Sequence, residues 1–129
     1  MRDEAKAFER AYAMGVKIAF GTDAGTFNHA EHAKEFDLMV GYGMKPMDAI
    51  AAATTGTAEL FGLKDSVGSL TPGKTADVIA IKGNPLADIA MLHTVDFVMK
   101  SGAIAKASGV MRDGFSYPPF GSDGPRRGG

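Results

Sequence analysis

The sequence predicts an α/β fold in which helices flank a short strand, followed by a segment made mainly of strands. Up to about residue 62, apolar side chains recur at helical spacing on both sides of one short apolar strand. From about Asp65 onward, short β-branched runs separated by glycine and proline turns replace that spacing. The predicted parts are an α/β part (residues 1–64), a β-rich part (residues 65–107) and a tail (residues 108–129).

The first part begins with a helix and a strand. Residues 2–14 carry apolar side chains at helical spacing and charged side chains on the remaining faces, which predicts an amphipathic helix ending at Gly15. Residues 16–20 alternate between two faces, as a strand does, and Gly21 closes the segment.

Three helices are predicted after this strand. Residues 30–42 contain an apolar stripe at helical spacing. A further helix opens at Pro46, because the missing N–H of proline costs nothing at the first helical position. A short helix then covers residues 57–61 and stops at Gly62.

The β-rich part is predicted from β-branched runs and from turn residues between them. The predicted elements are a strand at 67–70, a turn at 71–74, a strand at 76–81, a helical turn at 86–92, and a hairpin of 95–100 with 103–106. The tail, residues 108–129, is rich in Gly, Pro, Ser and Arg and is predicted to be disordered, above all in about its last ten residues.

Composition and charge exclude several classes of protein. The 129 residues include 14 Lys and Arg against 15 Asp and Glu, and no basic cluster suggests nucleic-acid binding. No apolar run approaches the roughly 20 residues that cross a bilayer, and the Met1 end lacks the pattern of a signal peptide. We therefore expect a soluble chain, cytoplasmic by default, with no nucleic-acid or membrane partner. The absence of cysteine leaves His, Asp and Glu as candidate metal ligands.

Asp23 is the first candidate functional residue, because it follows the predicted strand directly. Ligands bind at the carboxyl ends of strands in α/β folds, and Gly21 and Gly25 allow the backbone to turn there. A carboxylate in that place needs a partner, and a divalent cation is a suitable one. From spacing alone, a turn or helix-capping role for Asp23 is an equally good interpretation.

The nearby histidines leave two interpretations open. His29 and His32 are three residues apart at the start of the predicted second helix, where they would complete an Asp-His-His site. Exposed histidines are common at helix starts, however, and metal-binding pairs more often have His-x-His or His-x-x-x-His spacing. His93, in a loop between β-rich segments, is expected to be structural or exposed. No nucleotide-binding or serine-hydrolase motif is present.

Several motifs in order carry a family resemblance. They are Gly15-Val-Lys-Ile-Ala-Phe-Gly-Thr-Asp-Ala-Gly, Glu35-Phe-Asp-Leu-Met-Val, Gly43-Met-Lys-Pro-Met-Asp-Ala-Ile, Val67-Gly-Ser-Leu-Thr-Pro-Gly-Lys-Thr-Ala-Asp-Val-Ile, Asn84-Pro-Leu-Ala-Asp-Ile and Val98-Met-Lys-Ser-Gly. Together they resemble the C-terminal part of the metal-dependent amidohydrolase superfamily. The branch that they resemble contains imidazolonepropionase-related enzymes and Xaa-Pro or Xaa-Arg dipeptidases.

The resemblance implies a fold and a set of roles. Residues 1–64 would be the last helix-strand-helix units of a (β/α)8 TIM barrel, and residues 65–107 part of a small β-sandwich domain. Asp23 would end the last barrel strand, contact a catalytic divalent metal, expected to be zinc, and act as general base and acid. His29 would face the substrate, although its neighbours are Asn28 and Ala30 where the family has proline and glycine.

The implied activity is hydrolysis of a C–N bond in a small amide or dipeptide. The other metal ligands of the family are absent from this sequence. We therefore expect a C-terminal fragment that is inactive without the remainder of the barrel. Two alternatives are a non-catalytic binding module and the complementing subunit of a split enzyme. Uncovered apolar faces also predict that the isolated chain is marginally stable or forms homo-oligomers.

Overall fold

A computed structural model describes residues 3–23 and 31–116 of the chain. The helices are α1 (Asp3–Ala13), α2 (Lys34–Gly41), α3 (Pro46–Ala51), a π-helical turn (Ala52–Gly56), α4 (Thr57–Leu60) and a 3₁₀ helix (Ile89–His93). The strands are β1 (Val78–Ile81), β2 (Val95–Lys100), β3 (Ala103–Ala107) and β4 (Val110–Met111). Within the described residues, no helix is both long and apolar enough to cross a bilayer.

The predicted helix ends at Gly15 and Gly62 are confirmed. Both glycines have positive φ angles, 75° and 69°, which continue the chain out of the helix without steric cost. After α1, the N–H groups of Gly15 and Val16 donate to the carbonyl groups of Tyr12 and Ala11, at 2.9 and 3.0 Å. This pair of hydrogen bonds is the Schellman motif, which satisfies carbonyl groups that the helix end would leave unpaired.

The chain is helical from Pro46 to Leu60, with a π-helical turn in the middle. Pro46 occupies the first turn, as predicted. The Ala52 carbonyl accepts hydrogen bonds from the Phe20 N–H, at 3.2 Å, and from the Thr57 hydroxyl, at 2.6 Å. The wider π-helical turn interrupts the regular i to i−4 hydrogen bonds of the helix. Here the Ala52 carbonyl of the helix is also bonded to the Phe20 N–H.

The predicted strand at residues 16–20 is not formed, and residues 16–23 have no regular secondary structure. A strand requires a neighbour with which to exchange backbone hydrogen bonds, and the described strands all lie within residues 78–111. The segment packs only in part as its alternation predicts, because Val16, on the same predicted face, is 53% exposed. Ile18 and Phe20 contact a buried cluster that consists of Met39, Met44, Ala49 and Ala52.

The β-rich part forms one antiparallel sheet in the order β1-β2-β3-β4. The predicted hairpin of residues 95–100 and 103–106 is confirmed by β2 and β3. Ser101 and Gly102, between them, have φ angles of 51° and 83°, as a type I′ turn requires. The predicted strand at residues 67–70 is absent, because these residues form turns and bends with no strand beside them.

The sheet extends beyond residue 107, into the segment predicted to be a tail. Ser108 and Gly109 have φ angles of 51° and 77°, so that they repeat the turn geometry of the first hairpin. They connect β3 to β4, whose Val110 pairs with Ala107. The prediction of disorder is therefore wrong for residues 108–111, whereas the last ten residues lie outside the described part of the chain.

The α-helical part contacts the β-rich part at several described places, including His93 and Gly68. His93 Nε2, in the 3₁₀ helix, lies 2.6 Å from Asp37 Oδ2 in α2. Gly68, with a φ of 90°, lies so close to α4 that an added Cβ atom would be 2.7 Å from the Ala58 Cβ. His93 is therefore exposed and at the same time contacts α2, so that both outcomes expected from the sequence apply.

Candidate active site

The segment before Asp23 is held against α2 by two side-chain contacts. The rings of Phe20 and Phe36 stack with centroids 4.5 Å apart and an angle of 35° between their planes. The Thr22 hydroxyl lies 2.6 Å from His32 Nδ1, just before α2 begins. Residues 20 and 22 share a face of an extended segment, and residues 32 and 36 are spaced one helical turn apart. The distance between residues 20 and 22 along the segment is similar to that between residues 32 and 36 along one helical turn, so both contacts form at the same time.

Asp23 lies at the exposed end of this segment. Its φ angle is 46°, in the left-handed region, which aspartate adopts more readily than most residues because its short side chain tolerates it. No hydrogen bond or ion pair links its carboxylate to another described residue. The carboxylate therefore remains accessible to a ligand. The alternative capping role depends on residues 24–30, which lie outside the described part of the chain.

The two candidate histidines have different outcomes. His29 lies outside the described residues, so its substrate-facing role stays a prediction. His32 is partly buried and bonded to Thr22. Sequence reasoning considered His32 as a metal ligand and missed this bond. The available signal was the match between the i, i+2 spacing of Phe20 and Thr22 and the i, i+4 spacing of His32 and Phe36.

The described residues supply part of a metal site at most. Protein zinc sites use three or four side-chain ligands, and no group of three His, Cys, Asp or Glu residues is assembled in residues 3–23 and 31–116. Asp23 fits the role of one oxygen ligand, because its carboxylate is exposed and has no described partner. The remaining ligands would have to come from outside the described residues.

A groove runs beside the same segment, but Asp23 does not line it. Its volume is about 630 Å³, and it lies between residues 16–19 and the helix that runs from Pro46 to Leu60. At its edge the Tyr12 hydroxyl donates to Asp48 Oδ2, at 2.5 Å, and this bond raises the pKa of Tyr12. The groove is lined mainly by apolar residues, with Lys17, Asp48 and Glu59 among its polar ones.

The chain is similar to known proteins over most of its length. The sequence profile of the amidohydrolase family matches residues 1–105. In the crystal structure of a Xaa-Pro dipeptidase with methionine bound in its active site, the similar region is 50% identical, with a TM-score of 0.78. It covers 80% of this chain and 25% of that one.

Two curated relatives extend the comparison. Ochratoxinase of Aspergillus niger is 37% identical over 109 residues, which cover 81% of this chain and 22% of that protein. The 5-methylthioadenosine/S-adenosylhomocysteine deaminase of Teredinibacter turnerae is 40% identical over 89 residues, which cover 61% of this chain and 20% of that protein. The chain thus spans about a fifth of the length of these two relatives.

Proposed function

Since this chain belongs to the amidohydrolase family, we propose that it forms part of a metal-dependent hydrolase that cleaves C–N bonds in small amides or dipeptides. The family predicted from the motifs is confirmed. The described residues are a small α/β portion of such a fold. We assign residues 1–64 to the last units of a (β/α)8 barrel and residues 65–107 to part of a β-sandwich domain.

The observation that carries this proposal is the exposed carboxylate of Asp23 at the end of a well-packed segment. Phe20 and Thr22 fix the segment, while Asp23 itself has no described partner. In the proposed reaction a carboxylate oxygen of Asp23 accepts a proton from the attacking water and then delivers it to the leaving nitrogen. A bound divalent metal, with zinc the expected ion, would polarise the carbonyl group of the substrate.

This function requires additional barrel strands. Residues 16–23 have no regular secondary structure and no described strand beside them, although Ile18 and Phe20 pack on the buried cluster. The metal ligands that Asp23 needs are also not among the described residues. We propose that strands from the same polypeptide, or from a second one, pair with this segment and contribute those ligands.

The dipeptidase relative favours a dipeptide as the substrate. It is more identical to this chain than ochratoxinase or the deaminase is. The names dipeptidase and deaminase both denote reactions in which water replaces nitrogen at a carbon centre. We propose that His29, six residues after Asp23, faces the substrate in that enzyme.

The test is the substitution Asp23→Asn in the complete gene product, assayed with Xaa-Pro dipeptides and with simple N-acyl amino acids. Asparagine keeps the shape of the side chain but cannot accept the proton, so we expect kcat to fall by about 10²–10⁴-fold. Asp65→Asn is the matched control, because Asp65 is an exposed aspartate outside the site. Turnover at the wild-type rate in Asp23→Asn would refute the assignment. A wild-type protein that binds no metal and cleaves none of these substrates would favour the non-catalytic alternative.

A further inference from the structure

We propose that Thr22 and His32 form a positioning pair that fixes the orientation of the Asp23 carboxylate. This inference rests on the proposed function, because it assigns the pair to the same reaction. The Thr22 hydroxyl and His32 Nδ1 are 2.6 Å apart, and both residues are partly buried. The pair therefore lies immediately behind the residue that would handle the proton.

The bond is placed where the backbone has no other support. The Phe20 N–H is bonded to the Ala52 carbonyl, but no backbone hydrogen bond holds residues 21–23 to another described residue. Asp23 also has a positive φ angle of 46°, which aspartate tolerates better than most residues but which is still less populated than negative φ angles. Among the described residues, the contact of Thr22 with His32 restrains this part of the chain.

Helix α2, which begins two residues after His32, is held in place by several contacts. Met39 of α2 is 3% exposed within the buried cluster. Phe36 stacks on Phe20, and Asp37 contacts His93 in the 3₁₀ helix. A hydrogen bond to His32, directly before this helix, therefore ties Thr22 to a rigid support.

The chemistry of the two groups suits a directional restraint. A threonine hydroxyl both donates and accepts, so it bonds to either tautomer of the imidazole ring. Threonine is β-branched, which limits its side-chain rotamers and links them closely to its backbone angles. A fixed Thr22 side chain thus fixes the backbone from which Asp23 extends.

The experiment compares Thr22→Val with Thr22→Ser in the complete gene product. Valine keeps the branched shape and removes the hydroxyl, whereas serine keeps the hydroxyl. We expect Thr22→Val to lower kcat and to weaken zinc binding by about 10–100-fold each, the usual effect of losing a group that orients a metal ligand. We expect KM to change much less than kcat. We expect Thr22→Ser to keep most of the wild-type kcat and zinc affinity.

A second readout does not depend on turnover. The ¹⁵N NMR signals of the His32 ring should shift in Thr22→Val and stay near their wild-type positions in Thr22→Ser. Zinc affinity is measured by competition with a chelator, and thermal unfolding shows that each variant is folded. If Thr22→Val does not fold, His32→Leu removes the ring nitrogen from the other side of the bond, and kcat and zinc affinity are then the readouts.

The outcomes separate this inference from the proposed function. Wild-type kcat and zinc affinity in Thr22→Val would overturn the pair, even if the NMR signals move. Equal losses in Thr22→Val and Thr22→Ser would also overturn it, because the hydroxyl would then be irrelevant. An active Asp23→Asn variant would instead refute the proposed function, while the NMR comparison would still decide whether the bond exists.

Discussion

Gly68 is the position at which the loop after α4 packs most tightly against the helix. An added Cβ atom would lie 2.7 Å from the Ala58 Cβ and 3.0 Å from the Thr54 carbonyl oxygen. The first distance is too short for a real Cβ contact, and the second is tighter than most such contacts. The substitution Gly68→Ala therefore tests whether this loop docks on the helix as the structure shows.

The expected magnitude has two parts. Gly68 has a φ angle of 90°, and holding a non-glycine residue in a disfavoured region costs about 1–3 kcal/mol. Forcing a methyl group into a filled space adds about 1–3 kcal/mol. We therefore expect Gly68→Ala to lower the free energy of unfolding by about 2–6 kcal/mol.

Gly73→Ala is the control that isolates the second part. Gly73 has a φ angle of 93°, almost the same as Gly68, but an added Cβ would meet nothing within 4 Å. Urea denaturation of both variants, followed by circular dichroism, should show Gly68→Ala to be the less stable by about 1–3 kcal/mol. Equal destabilisation would refute the close packing of this loop on α4.

Two further predictions concern ion pairs. The contact between His93 and Asp37 is partly exposed, so a double-mutant cycle with His93→Gln and Asp37→Asn should give a coupling free energy of only about 0.2–1 kcal/mol; a coupling of several kcal/mol would contradict this. Burial acts to raise the pKa of Asp77, but bonds from the Lys100 ammonium and the Ser101 N–H outweigh it and hold that pKa below its ordinary value. A carboxyl group whose pKa is lower in the folded state stabilises the protein at pH values above its unfolded-state pKa. This stabilisation is lost as the pH falls through the folded-state pKa. Asp77→Asn should therefore unfold with a weaker dependence on pH in the acid range, and an unchanged acid limb in the denaturation curves would count against this.

Local signals in the sequence were enough to predict the helix ends and one hairpin. A glycine after an apolar helical pattern allows the positive φ angle seen at Gly15 and Gly62. The pair Ser101 and Gly102 likewise indicated a turn between two apolar runs. Ser108 and Gly109 form the same turn, but the short β4 and the polar residues after it gave no alternating pattern to recognise.

The features that were missed depend on contacts between distant parts of the chain. Residues 16–20 have the alternation of a strand, but alternation does not supply a neighbouring strand. The position of Asp23 was predictable, because glycines and an apolar segment surround it. The bond between the adjacent Thr22 and His32 was not predictable, because it depends on how α2 is rotated relative to residues 20–22.

The π-helical turn has a consequence for how a sheet would assemble on this chain. Strand neighbours set each other's register, and a slip of one residue exchanges the two faces. Here the Ala52 carbonyl already holds the Phe20 N–H, so such a slip would break a bond to a helix as well as bonds within a sheet. Asp23 is three residues further on, within about 11 Å even in a fully extended chain. The bond between Phe20 and Ala52 thus fixes the position of Asp23 relative to the helix. Any strand that pairs with this segment must adopt a register compatible with that bond.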